Sequence, residues 1–421
     1  MRVALINQPW SVCPPDDSAD SIALVNFELL RRLGRTCEAR SYGRMIKGRP
    51  AIEKIDGVEY RRVPPARIDR YTRGLRLLDK WRLMPRRKPF HQSALYHRGY
   101  ATAVARDLSQ SPCDIVHVHN FAQCARTIRK HNPSARIVLH MHCDWLTQLD
   151  KALVQRCLES VDLVLGVSRM ITDHARQRFP TAKIEFRTLY NGVDFDRFAG
   201  AQPPAQPGRR ILFVGRLSPE KGPHVLIQGF VRVAADFPDV TLDLIGPDNV
   251  LSRDFVDPGR EDARLEQLAS FFQIKDSYRA HLRELVPGGL SGRVRFLGSL
   301  PHDKLPGHYA GASMLVVPSV FDEPFGLPLA EAMAAGIPCL ATAAGAFPEI
   351  VEDGVTGLLT PPADVGALAG ALAELLSQPE RARQMGLAGR QRAASLFSWD
   401  KNAETLADCY RGILGGKRAA Q

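Results

Sequence analysis

The 421 residues exceed one ordinary domain and suit two of average size, while 45% hydrophobic and 24% charged content excludes a disordered chain. No apolar run reaches the roughly 18 residues of a membrane-spanning helix, and the N-terminus has no signal-peptide pattern. The net charge of +11 is largely local, because residues 61–88 carry eleven Arg or Lys against Asp69 and Asp79. No groove-reading motif accompanies that charge, so nucleic acid is not expected as a partner. Eight scattered cysteines, with no CxxC and no metal-ligand spacing, point to free thiols in a reducing, cytoplasmic compartment.

In chain order, "MRVALINQPW" reads as a buried first strand, Val3–Asn7, followed by a helix over Ala23–Leu33. The basic stretch follows. Within it Tyr71, Leu75 and Leu78 fall at helical spacing beside Leu77, Trp81 and Met84, the pattern of a cationic amphipathic helix. Such a helix suits peripheral contact with an anionic membrane, at the inner face of the cytoplasmic membrane; a solvated excursion or an acceptor-binding loop fits the same residues. Strands are then predicted at Ile115–His119, Ile137–His142, Leu163–Val167 and Ile184–Leu189, mostly continuous apolar runs suited to parallel strands covered on both faces.

"AGAQPPAQPG", residues 199–208, has three prolines and nothing to anchor a core, and reads as a linker. Beyond it the strands are Ile211–Val214, Thr241–Ile245, Val294–Leu297, Met314–Val317, Pro338–Ala341 and Gly357–Leu359, with a helix at Ala367–Leu376. Residues 247–292 form a long segment between two of these strands. A last helix starts after Ser398 as N-cap. The alternation predicts an α/β protein of two doubly wound, Rossmann-like domains with a cleft between them. They are an N-terminal domain over 1–198 with its basic excursion at 61–88, and a C-terminal domain over 209–396. The terminal segment 397–421 carries the last helix.

Two motifs carry the chemistry. "EPFGLPLAEAMAAGIP" follows a strand and opens a helix near Pro328, so the amides of Phe325, Gly326 and Leu327 stand at a helix N-terminus, where an anion is favoured. Glu323 precedes that end and Glu331 lies on the helix. Either carboxylate alone would read as an ordinary macrodipole partner. "VGRLSPEKG" adds Arg216 and Lys221 at the end of another strand, two cations able to neutralise a diphosphate leaving group. Together they suit a ligand with hydroxyls on both sides of a diphosphate, the layout of a nucleotide sugar.

This pair of motifs closely resembles the retaining, nucleotide-sugar-dependent glycosyltransferases of family 4, whose fold is called GT-B. The resemblance spans nearly the whole chain, with "LYNGVDFDRF" like the hinge and "RVRFLGSLPHDKL" like the base-pocket strand and loop. It implies that Glu323 holds a donor-sugar hydroxyl, Glu331 the ribose hydroxyls, and Arg216 and Lys221 the diphosphate with the amides of 325–327. It also implies that Ser299 and Leu300 line the base pocket, and that a first-domain histidine, assigned by strand register to His142 over His140, stands near the sugar. A hydroxyl-bearing acceptor, saccharide, lipid-linked or secondary metabolite, completes the reaction.

The resemblance further implies no required cofactor or essential metal, with a UDP-sugar as the favoured donor. A metal site among His117, His119, His140 and His142 is disfavoured at this level, because each pair sits at i, i+2 on a strand with no other ligand type close by. "DFD" at Asp194–Asp196 reads as hinge. "PPDDSADSIAL", residues 14–24, departs from the family's paired glycines, and Asp16, Asp17 and Asp20 would repel a diphosphate there. Two other readings therefore stand beside transfer. One is a GT-B protein that binds nucleotide sugars without transferring them; the other is a dinucleotide-dependent oxidoreductase, for which no GxGxxG follows Ile6.

Overall fold

The computed structural model describes residues 1–15, 20–66, 85, 87–199, 209–258, 262–273 and 275–416. The amphipathic stretch Tyr71–Met84, most of the linker and Asp16 and Asp17 lie outside the described residues. The chain forms two compact units, Met1–Asn191 with Trp399–Gln421, and Gly192–Ser398. Both are α/β units built on parallel sheets.

The first unit's strands are β1 (Arg2–Ile6), β2 (Glu38–Arg44), β3 (Ile52–Ile55), β4 (Val58–Val63), β5 (Ile115–His119), β6 (Arg136–Met141), β7 (Leu163–Gly166) and β8 (Glu185–Thr188). They are ordered β3-β4-β2-β1-β5-β6-β7-β8, parallel throughout except for the antiparallel β3–β4 pair. Every residue of β5 and β7 is buried, which is why their sequences read as apolar runs interrupted only by the histidines. Strand order reverses at β1, between β2 and β5, the position where open α/β sheets leave a crevice.

Helix Ser21–Leu33 starts at Asp20, whose carboxylate accepts from the amides of Ile22 and Ala23 at 3.1 and 3.0 Å. Asp20 is therefore occupied as a cap. The terminal helix Trp399–Gly415 packs against that same helix, with Leu406 and Tyr410 fully buried beside Leu29 and Leu30. Arg32 bonds Asp400 at 2.9 Å, and Asn402 donates to the carbonyl of Tyr190 at 2.8 Å. The basic excursion expected from residue 61 is corrected at its start, since Arg61 and Arg62 belong to β4. Arg62 is buried and bonds Glu53 as well as the carbonyls of Cys13 and Pro50, while Arg61 pairs with Glu59 and Asp107. Their charges are neutralised inside the sheet layer.

The second unit's strands are β9 (Arg210–Val214), β10 (Thr241–Ile245), β11 (Val294–Gly298), β12 (Met314–Val317), β13 (Cys339–Thr342) and β14 (Gly357–Thr360). All are parallel, in the order β11-β10-β9-β12-β13-β14, so the reversal falls between β9 and β12. Short helix Phe195–Ala199 also belongs to this unit, with Phe198 buried and edge-on to Tyr309. Residues of the long segment enter the core: Leu265, Tyr278 and Leu282 are buried with Leu242 and Val294. No helix among the described residues is long and apolar enough to cross a membrane.

Candidate active site

Two loops leave the carboxyl ends of neighbouring β9 and β12, and backbone geometry forces them together. Gly222 has φ +70°, and a Cβ there would stand 2.0 Å from the carbonyl oxygen of Pro318, so only glycine permits the approach. The amide of Val320 donates to the carbonyl of Glu220 at 2.8 Å, stitching one loop to the other. Gly345 plays the same part from the segment after β13, its absent Cβ leaving room for the backbone of Glu323, while the amide of Ala346 donates to the Glu323 carbonyl at 2.8 Å.

These contacts bring Lys221 and Glu323, 102 residues apart, into a bidentate ion pair with Nζ 2.6 and 2.8 Å from the two carboxylate oxygens. Ser319 donates to the same carboxylate at 2.6 Å. Glu323 is buried, whereas the Lys221 side chain keeps 21% of its exposure. An ammonium has three donors, so two on Glu323 leave one free to reach a ligand.

Arg216 stands on the same loop, its guanidinium 3.0 Å from Glu220, which also accepts from Ser218 at 2.6 Å. Glu220 is fully buried and holds one terminal nitrogen, Nη2, of the guanidinium in place. Gly326, at φ +102°, begins helix Leu327–Ala335, whose N-terminus has no side-chain cap. Phe325 is buried against Phe397. On that helix Glu331 accepts from Tyr309 at 2.7 Å and lies 2.8 Å from Nε2 of His302. Ser299 and Leu300 follow β11, whose last residue Gly298 accepts from the amide of Gly246. Arg264, from the long segment, pairs with Asp322 at 2.9 Å, immediately before Glu323.

In the second unit, then, the structure gathers Arg216, Lys221, Glu323, Phe325, Gly326, Leu327 and Glu331 on loops and a helix at the strand-order reversal. Ser299 and Leu300 sit at the end of a strand two places from β9. Ser319, Glu220, His302 and Tyr309 escaped the sequence reading. Of these, Glu220 and His302 lie within quoted motifs, and His302, Ser319 and Tyr309 acquire their partners only through the fold.

The remaining assigned residue, His142, is in the first unit and is the first residue after β6. Its amide donates to Oδ1 of Asn120 at 2.7 Å, and Asn120 itself adopts φ +59° after β5. His142 Nε2 lies 2.9 Å from Nδ1 of His119, and loss of hydration with the neighbouring imidazoles holds its pKa well below the usual histidine value.

Sequence models of "Glycosyltransferase Family 4" and "Glycosyl transferases group 1" match residues 25–197 and 194–392. Spore coat protein SA of Bacillus subtilis (strain 168) is 30% identical over 74% of this chain and 81% of its own length. The chain belongs to glycosyltransferase family 4. Among solved structures, sucrose-phosphate synthase from Thermosynechococcus elongatus matches with a TM-score of 0.72 at 24% identity, over 99% of this chain and 100% of that one. Anabaena Alr3699/HepE in complex with UDP and glucose matches at 0.65 and 18% identity, over 98% and 99%. Both likenesses concern the GT-B fold, two α/β units each with a parallel sheet.

Proposed function

We propose that this glycosyltransferase moves a sugar from a nucleotide-sugar donor, a UDP-sugar in preference, to a hydroxyl of a saccharide, lipid-linked or secondary-metabolite acceptor, with retention at the anomeric carbon and without an essential metal. The observation that carries the reading is the Lys221–Glu323 pair at the β9/β12 reversal, with Arg216 held beside it by Glu220. A nucleotide sugar needs cations at its diphosphate and a hydrogen-bonding carboxylate at its sugar, and these residues supply both within two adjoining loops.

Arg216, the free donor of Lys221 and the amides of 325–327 bind the diphosphate and stabilise the charge that grows on it as its bond to the sugar breaks. Glu323 accepts from a sugar hydroxyl and fixes the ring, and Glu331 accepts from the ribose. The bond between the anomeric carbon and the phosphate oxygen breaks while the acceptor oxygen bonds that carbon on the same face. The acceptor proton passes to the departing phosphate oxygen, so no enzymic nucleophile is consumed. His142 contributes a hydrogen bond near the sugar.

The test is a thermal-shift screen of UDP, GDP, ADP, CMP, dTDP, their sugar conjugates and NAD(P), with and without Mg²⁺, followed by NMR of the anomeric product. A metal-independent shift with one nucleotide and its sugars, and a product of unchanged configuration, are expected. Binding without turnover would convert the reading to a non-catalytic nucleotide-sugar binder; a shift with NAD(P) alone would refute it.

A further inference from the structure

Four histidines on neighbouring parallel strands share one face of the first unit's sheet. His117 and His119 are alternate residues of β5; His119 is the register partner of His140 on β6, and His142 follows two residues later. Three of them, His117, His119 and His140, are at most 1% exposed. Their ligand nitrogens lie within 4.8 Å of one another.

The hydrogen bonds of this group are sorted in an informative way. Nδ1 of His117 is 2.6 Å from the hydroxyl of Tyr410, and Nδ1 of His119 is 2.9 Å from Nε2 of His142. Among the described residues, Nε2 of His117 and Nε2 of His119 make no hydrogen bond, and His140 has only the backbone of Leu189 beside its ring, which leaves one of its nitrogens unpaired. An ordinary core histidine satisfies its polar atoms, because leaving one buried and unpaired costs about 1–3 kcal/mol. Here three rings in one cluster each leave at least one nitrogen unpaired.

We propose that His117, His119 and His140 form a buried tri-histidine site for a borderline transition-metal ion, zinc above all. Imidazole suits such ions, and three of them with one open position is a known zinc coordination pattern. The ring centres are 4.7, 5.2 and 5.5 Å apart. Three imidazoles on one tetrahedral zinc, with Zn–N of about 2.0–2.1 Å, hold their centres about 5 Å apart, so small side-chain adjustments close the site.

The partnered nitrogens complete the pattern. A metal-bound Nε2 leaves Nδ1–H to donate, and the Nδ1 atoms of His117 and His119 have acceptors in place in the Tyr410 hydroxyl and the His142 ring, as outer-shell partners of ligating histidines do. The half-buried His142 beside His119 gives the ion a way in. This site is distinct from the loops assigned to the diphosphate, since all its ligands belong to β5 and β6. One consequence rests on the functional reading above: the ion would set the tautomer of His142 through His119. Metal binding itself does not rest on it.

The experiment uses the untagged full chain with its thiols alkylated, stripped by chelator and titrated with ZnCl2 and CoCl2. One tightly held equivalent per chain, retained through gel filtration, is expected, with a nitrogen-ligand cobalt spectrum and a raised midpoint by tryptophan fluorescence. His140→Gln and His117→Gln should each weaken binding at least 100-fold while retaining wild-type far-UV dichroism. If either variant fails to fold, the stoichiometry and cobalt spectrum of the wild type decide. Absence of stoichiometric binding to the wild-type chain, or undiminished binding in a folded His140→Gln variant, would overturn the proposal. Loss of nucleotide binding would leave it standing.

Discussion

Lys221→Met exposes the energetics of the site most plainly, because it leaves the Glu323 carboxylate buried with Ser319 as its one side-chain partner among the described residues. Removing one member of a buried ion pair costs about 3–5 kcal/mol. The Lys221 side chain is 21% exposed, so solvent already screens part of the interaction, and the expected loss is about 2 kcal/mol. Glu323→Gln keeps a hydrogen-bonding group for Ser319 and leaves an ammonium that can hydrate, at about 1 kcal/mol. The double variant should be more stable than the sum predicts by about 1 kcal/mol, since neither charge then remains unpaired.

For a unit of this size, about 2 kcal/mol corresponds to a midpoint lowered by about 4–8 °C. The tryptophans among the described residues, Trp10, Trp145 and Trp399, belong to the first unit, so far-UV dichroism, which samples both units, is the readout. Each single variant should also nearly abolish transfer. An unchanged dichroism midpoint in Lys221→Met, or strict additivity in the double variant, would refute the reasoning.

Glu220→Gln should raise the donor KM about tenfold with a smaller effect on kcat, measured by steady-state kinetics, because Glu220 orients Arg216 without reaching substrate. Gly222→Ala should lower stability by about 2 kcal/mol or more and weaken nucleotide binding, both measurable by urea titration and calorimetry, since its Cβ would collide with Pro318. His224 is held down to about pKa 4, chiefly by burial and secondarily by His281, with Nδ1 2.8 Å from the Tyr278 hydroxyl. The unfolded chain, at an ordinary value of about 6.5, takes up this proton first, so the stability present above that pH is lost as pH falls from about 6.5 to about 4, by up to about 3 kcal/mol. Urea titrations of wild type and His224→Gln across that range, followed by dichroism, should show a shallower pH dependence in the variant.

What could be read in the chain depended on burial. Central strands β5, β6, β9 and β12 are covered on both faces, and their apolar runs located them within a residue or so of their ends. β2, β3 and β4 were not predicted, because their sequences "EARSYGR", "IEKI" and "VEYRRV" mix charges into the strand. Arg62 shows why: its charge is met by Glu53 and two carbonyls contributed by separate turns, which no local pattern announces.

The donor-side motifs were legible because each is contiguous and follows the carboxyl end of an apolar strand, β9 or β12. His302 and Tyr309 were not, since their common partner Glu331 lies 29 and 22 residues away. The histidine pairs were visible as i, i+2 repeats, but their convergence required the β5–β6 register that sets His119 beside His140. The apparent liability of acidic residues in 14–24 is likewise altered at Asp20, which the helix start employs as its cap.

The most direct test of the central claim is calorimetric titration of UDP into the wild-type chain and into Arg216→Ala, in the presence of EDTA. The account predicts metal-independent binding to the wild type, weakened at least tenfold in the variant while its melting profile remains intact. Binding that survives unchanged in Arg216→Ala, or that requires a divalent ion, would contradict it.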